Sequence, residues 1–143
     1  MHRTERQIED YLSDYPYLIS PEFEEVERQV RLEKDQIADL VYKDDQRIVV
    51  IELKKDRANK RDVEQIVGYC KYYQGGPRKV SGILVARSII ESARTLLDKE
   101  NTKNPFHMEF KAIGSDIPRD ITVCEECGRA RGVEEDCKTL GCN

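Results

Sequence analysis

Ile48-Val49-Val50-Ile51-Glu52-Leu53-Lys54-Lys55 is the stretch on which the reading of this chain turns. Four consecutive β-branched apolar residues have the composition of a central strand covered on both faces. Such a strand has no structural use for a charge, yet this one runs straight into Glu52 and Lys54. Side chains alternate across a strand, so both leave the same face. The segment Ile37-Ala38-Asp39-Leu40 reads as part of the preceding strand, with Lys43-Asp44-Asp45-Gln46 as the turn between. That turn can bring Asp39 beside Glu52. Two close carboxylates repel each other and are costly to desolvate unless a cation binds. Magnesium binds through one or two carboxylates plus substrate phosphate. A lysine alongside can orient or activate an attacking water, or offset phosphate charge. The alternative is a salt-bridged pair at a sheet edge, the usual meaning of a solitary Glu-x-Lys. An acid at the matching place on the preceding strand argues against it.

Working outward, Thr4 and Gln7 form a capping-box pattern, and Ile8, Tyr11, Leu12 and Tyr15 follow at helical spacing, with Pro16 as the stop. Val26, Arg28, Val30 and Leu32 alternate with Glu25, Glu27, Gln29, Arg31 and Glu33, which predicts a strand with one wet face. Ile37 to Tyr42 is a second strand and Ile48 to Leu53 a third. A helix over 60–73 carries the apolar stripe Val63, Ile66, Val67 and Cys70 and stops at Gly75-Gly76-Pro77. Val80 to Ala86 is a buried strand, Ile90 to Lys99 a third helix, and His107 to Ile113 a last core strand. The order αβββαβαβ predicts an α/β fold: a mixed β-sheet flanked by helices. Residues 1–113 form this domain, 114–123 a linker, and 124–143 a small cysteine-rich appendage.

The 143 residues suit one domain with a real core. The net charge of −4 is unevenly spread. Residues 1–45 hold 6 Lys+Arg against 13 Asp+Glu, whereas 46–79 hold 9 against 4. The basic stretch contains Lys54, Lys55, Arg57, Lys60, Arg61, Lys71, Arg78 and Lys79. A local basic face can hold phosphates on an acidic chain, although a solvated helix surface gives the same count. No apolar run approaches a membrane span, and no signal-peptide core opens the chain, so it reads as soluble and cytoplasmic.

Four of the five cysteines fall within nineteen positions: Cys124-x-x-Cys127, nine residues, Cys137, four residues, Cys142. A segment whose large apolar residues are almost only Val133 and Leu140 cannot fold on its own core. A structural zinc bound by the four thiolates is the expected staple, giving a zinc knuckle. The alternatives are a redox pair or an unstructured tail. Cys70, on the helix stripe, reads as an inert core thiol.

Asp39, twelve intervening residues, then Glu52-Leu53-Lys54 resembles the signature of the PD-(D/E)XK nuclease superfamily, with Ala38 at the nominal proline. Glu5 near the start of the first helix, Pro16, the run Val49 to Lys55, and Gln65 with Tyr69 extend the likeness over about residues 4–113, to the C-terminal catalytic domain of NucS/EndoMS endonucleases. This resemblance implies a restriction-endonuclease-like fold and a magnesium- or manganese-dependent DNA endonuclease, acting in DNA repair or on mismatched or branched DNA. It implies that Asp39, Glu52 and the Leu53 carbonyl ligate the metal and that Lys54 positions the attacking water. Glu5 would point into the site, and Gln65 and Tyr69 would steady the site and a nearby phosphate; their plain readings are a solvated helix residue and a core-edge aromatic. Such enzymes also carry an N-terminal domain implicated in dimerisation and DNA binding. None is read in these residues, so mismatch specificity is not carried over. A homodimer or a partner protein for DNA recognition is expected instead. The competing functions are a non-catalytic nucleic-acid-binding module and a nuclease subunit that depends on its partner; the intact acid–lysine set favours the enzyme.

Overall fold

Helix α1 (Glu5–Asp14) starts where its capping box predicts: the Gln7 N–H donates to Thr4 Oγ1 at 3.1 Å, and the Thr4 N–H donates to Gln7 Oε1 at 3.0 Å. Ile8, Tyr11 and Leu12 are buried on one face. Pro16 does more than end the helix, since Pro16–Leu18 forms a 3-10 turn. The computed structural model describes residues 4–33 and 35–113, together with the strand residues 122–123 and 130–131.

Strands β1 (Glu27–Glu33), β2 (Gln36–Lys43) and β3 (Arg47–Leu53) follow as an antiparallel meander. A crossover through α2 (Lys60–Tyr73) leads to β5 (Lys79–Ala86), parallel to β3. A second crossover through α3 (Glu91–Lys103) leads to β7 (His107–Ala112), parallel to β5. The sheet order is β1-β2-β3-β5-β7, the mixed sheet flanked by helices that the element order predicts. Two short strands escape the sequence reading. β4 (Arg57–Ala58) and β6 (Ser88–Ile89) pair in parallel just beyond the ends of β3 and β5. Two residues are too few for any period to register.

Both sheet faces are covered, as the apolar run of β3 requires. On one face Ile8, Leu12, Ile19 and Phe23 pack on Leu40, Val49, Ile51 and Leu53. On the other, α2 and α3 bury Val63, Ile66, Cys70 and Leu97 against Val80, Leu84 and Met108. Gly82 sits beneath α2, where a Cβ would lie 3.0 Å from Cys70 Sγ and from Ile66, so the helix–strand approach needs glycine there. Burial pushes the Cys70 thiol up to about 12, as befits an inert core thiol.

Helix α3 runs past the predicted Lys99 because its last turn is tied down: Asn101 Nδ2 donates to Met108 O at 2.7 Å while its Oδ1 accepts from the Met108 N–H. At the end of the segment read as a linker, β8 (Thr122–Val123) pairs antiparallel with β9 (Ala130–Arg131) of the cysteine-rich appendage, and β9 lies against α1. Cys124, Cys127, Cys137 and Cys142, expected to bind zinc, lie outside the described residues. Among the described residues no helix is long and apolar enough to cross a membrane.

Candidate active site

Strand register brings the two acids together. Leu40 stands opposite Ile51 and Val41 opposite Val50, so the ladder continued by one residue sets Asp39 opposite Glu52. Val41 and Val50 pack with Tyr69 of α2. Asp39 and Glu52, two residues further along their strands, therefore face the same side of the sheet. Asp39 is half-buried, and its Oδ2 accepts from the Leu53 N–H at 2.8 Å. Glu52 is 4% exposed, and its Oε1 has no hydrogen-bond partner.

A buried carboxyl with an unpartnered oxygen is electrostatically expensive, and Glu52 shows it. Burial first, then the charge of Asp39, pushes its carboxyl up to about 9. Burial also raises Asp39, opposed by Glu52 and by the Leu53 N–H. Without a cation the pair holds a proton near neutral pH, as two close carboxyls do. Burial, then Glu52 and Asp39, push the Tyr69 hydroxyl up to about 12, which puts this buried side chain within electrostatic reach of both acids.

Lys54 leaves the end of β3, its backbone N–H donating to Val85 O at 2.8 Å. Its Nζ lies 3.3 Å from Asp62 Oδ1. Burial works to lower the Lys54 ammonium, but the opposing carboxylates, Asp62 first, leave it raised. Gln65 is half-buried, one turn before Tyr69, and its Oε1 is buried without a partner. Asp62, Gln65 and Tyr69 recur at i, i+3 and i+7 and so share a stripe of α2. Glu5 is exposed, and its charge is felt at Lys54. Of the expected residues, then, Asp39, Glu52 and Tyr69 converge, Lys54 stands beside them, and Glu5 lies on the lysine's side.

Three participants escape the sequence reading. Asp62 is 5% exposed and doubles as the third helical residue of α2's capping box; continuing the Gln65–Tyr69 stripe back one turn would have found it. Glu9 is buried on α1, its Oε2 2.6 Å from Arg28 Nη2, and its charge acts on Asp39. Its signal was Arg28, the one charge among the inward-facing residues of β1. Arg28 also pairs with the buried Asp10. Gln29 Nε2 donates to Glu9 Oε1 from a backbone with φ of 48°, a conformation that costs a non-glycine residue energy.

The basic stretch of the sequence divides in space. Lys55, Arg57, Lys60 and Arg61 follow β3 into β4 and the start of α2, at the end of the sheet that carries Glu52. Arg87, just past β5, joins them through its N–H to Asp56 O at 2.9 Å. All five side chains are exposed, and none forms an ion pair with a described residue. Lys71, Arg78 and Lys79 lie at the far end, where α2 finishes and β5 begins.

Acids on β2 and β3 at one end of a mixed sheet, with polar residues of the crossover helix over them, are the arrangement that the resemblance to the PD-(D/E)XK class implies. The family comparison narrows this. Residues 4–126 match the family described as the endonuclease NucS C-terminal domain, and the chain belongs to that family. It is 32% identical over 113 residues to endonuclease NucS of Methanocaldococcus jannaschii, covering 77% of this chain and 40% of that protein. It is 33% identical over 129 residues to endonuclease NucS of Methanopyrus kandleri, covering 89% and 47%. Among solved structures it resembles an EndoMS–dsDNA complex, with TM-score 0.65, 31% identity, and coverage of 77% of this chain and 44% of that one. It also resembles a repair endonuclease from Pyrococcus abyssi, with TM-score 0.63, 29% identity, and coverage of 79% and 48%. The chain thus spans less than half the length of these relatives.

Proposed function

We propose that this chain is a metal-dependent DNA endonuclease domain acting in DNA repair, with magnesium or manganese held by Asp39, Glu52 and the Leu53 carbonyl. The observation that carries the reading is the facing pair of carboxyls, one of them buried with an unpartnered oxygen. The donor set is all oxygen, which suits a hard divalent cation. Among the described residues no group of three or more His, Cys, Asp or Glu is arranged to enclose an ion. The remaining positions fall to the backbone carbonyl, water and the scissile phosphate, which is how magnesium is commonly held.

A cation bound there would act as a Lewis acid on the phosphate and make the attacking water more acidic. The Leu53 N–H holds Asp39 in place through one oxygen, leaving the other to face Glu52. The ammonium of Lys54 orients the water and offsets phosphate charge. Tyr69, with its hydroxyl raised to about 12, stays a hydrogen-bond donor at neutral pH and, with Gln65, steadies the phosphate. The exposed cations Lys55, Arg57, Lys60, Arg61 and Arg87 offer a rim for the DNA backbone beside the acids. Lys60 and Arg61 open α2, where the helix dipole disfavours cations, so helix stability does not account for them.

The test is cleavage of duplex, branched and mismatched DNA with magnesium or manganese. Asp39→Ala, Glu52→Gln and Lys54→Ala should each remove nearly all cleavage from a folded protein. Full activity in any of them would remove that residue from the mechanism, and inactivity of the wild type on every substrate would favour a binding module. A structural zinc on Cys124, Cys127, Cys137 and Cys142 is proposed on spacing alone. Elemental analysis of protein purified without added metal should give about one zinc per chain, and none refutes it.

A further inference from the structure

Lys54 stands two residues after Glu52, just past the end of β3, and is the natural counter-ion for the acid pair. An ammonium seated there would neutralise the carboxylates and would have to be displaced by any divalent cation. The side chain does something else: its Nζ pairs with Asp62 at 3.3 Å and forms no ion pair with Asp39 or Glu52. Asp62 is fixed independently of the lysine. Its Oδ2 accepts from the Asn59 N–H at 2.8 Å, and the Asp62 N–H returns a bond to Asn59 Oδ1, closing the capping box that starts α2. The Asp62 side chain is 7% exposed and that of Lys54 27%, so the pair is shielded from water and can hold its geometry.

We propose that Asp62 is a positioning residue that holds Lys54 off the Asp39–Glu52 pair and thereby sets the pair's affinity for a divalent cation. The inference rests on the reading of that pair as a cation site. Four carboxylates act on one lysine: Asp62 most strongly, then Glu5, Glu52 and Asp39. With Lys54 committed to Asp62, Asp39 and Glu52 are left for the cation, and the ammonium stays beside the site, where it can act on water or phosphate.

Calorimetric titration of the full chain with manganese tests this. Asp62→Asn removes the charge while leaving an oxygen to accept from the Asn59 N–H, so the cap survives. The variant should bind manganese about tenfold more weakly, because Lys54 is released onto the acids; coupling of that size is ordinary for neighbouring charges. Lys54→Met added to Asp62→Asn should restore wild-type affinity, and Lys54→Met alone should change it by less than about threefold. Equal weakening by Asp62→Asn with and without Lys54 would mean that Asp62 acts by its own charge, and the proposal falls. Lys54→Met alone tightening binding tenfold or more would mean that Lys54 already occupies the acid pair; this outcome also overturns the proposal and needs no Asp62 variant to fold. The pair itself is checked separately. Asp39→Asn with Glu52→Gln should abolish binding, and manganese bound regardless would overturn the cation site and the proposal with it.

Discussion

Glu52 is the residue at which structure and chemistry pull hardest against each other. A glutamate ordinarily titrates near 4.5, and burial beside Asp39 moves this one to about 9. A group raised in the folded state gives its full contribution to stability below the unfolded value and loses it as pH rises through the folded value. The cation-free protein should therefore lose stability from about pH 5 to about pH 9, and Asp39, also raised, adds in the same direction. In Glu52→Gln that decline should flatten markedly. Melts in chelator across this range decide it: parallel wild-type and variant curves would mean that Glu52 is ionised without cost. Magnesium should restore wild-type stability most at the alkaline end, where the carboxylates are free of protons to bind it.

Among the elements, β2, β3 and α2 carry the candidate site, and the rim beyond them makes the second prediction. Arg57 on β4 and Lys60 and Arg61 on the first turn of α2 are exposed and lack ion pairs with described residues. If they track phosphates, Arg57→Gln, Lys60→Gln and Arg61→Gln combined should weaken binding of duplex DNA, measured in a non-cleaving Glu52→Gln background. The dependence of log K on log salt should fall by about one unit for each phosphate no longer neutralised. The control is Lys71→Gln, Arg78→Gln and Lys79→Gln at the far end of the sheet, which should leave the slope nearly unchanged. Equal effects from both sets would mean that only net charge matters. β3 was legible because a charged break in a buried strand has few explanations. The rim was not, because a run of basic residues carries no record of which end of a helix each one occupies. β4 and β6 show the same limit, since their pairing is made by the ends of longer neighbours.

At the scale of the molecule, the sheet and its flanking helices were legible from strong periods: the capped α1, the alternating β1, the apolar β3 and the striped α2. The placement of Asp39 against Glu52 also followed, because a short turn allows few registers. Glu9, Arg28 and Asp62 stayed hidden because their importance lies in pairings between different elements: Arg28 reaches back 19 residues to Glu9, and Asp62 meets Lys54 only once α2 folds over β3. The central claim, that the acid pair is a cation-binding catalytic site and not a structural contact, is tested most directly by thermal melts of wild type and Asp39→Asn in chelator and in magnesium. The substituted amide keeps an oxygen for the Leu53 N–H, so the change removes charge and little else. The variant should melt higher than wild type in chelator at alkaline pH, where both carboxyls of the wild type have lost their protons and repel. Magnesium should stabilise the wild type more than the variant, because a ligand stabilises only where its site survives. A variant that melts below wild type in chelator, with no magnesium shift in either protein, would contradict the account and make Asp39 and Glu52 a structural pair.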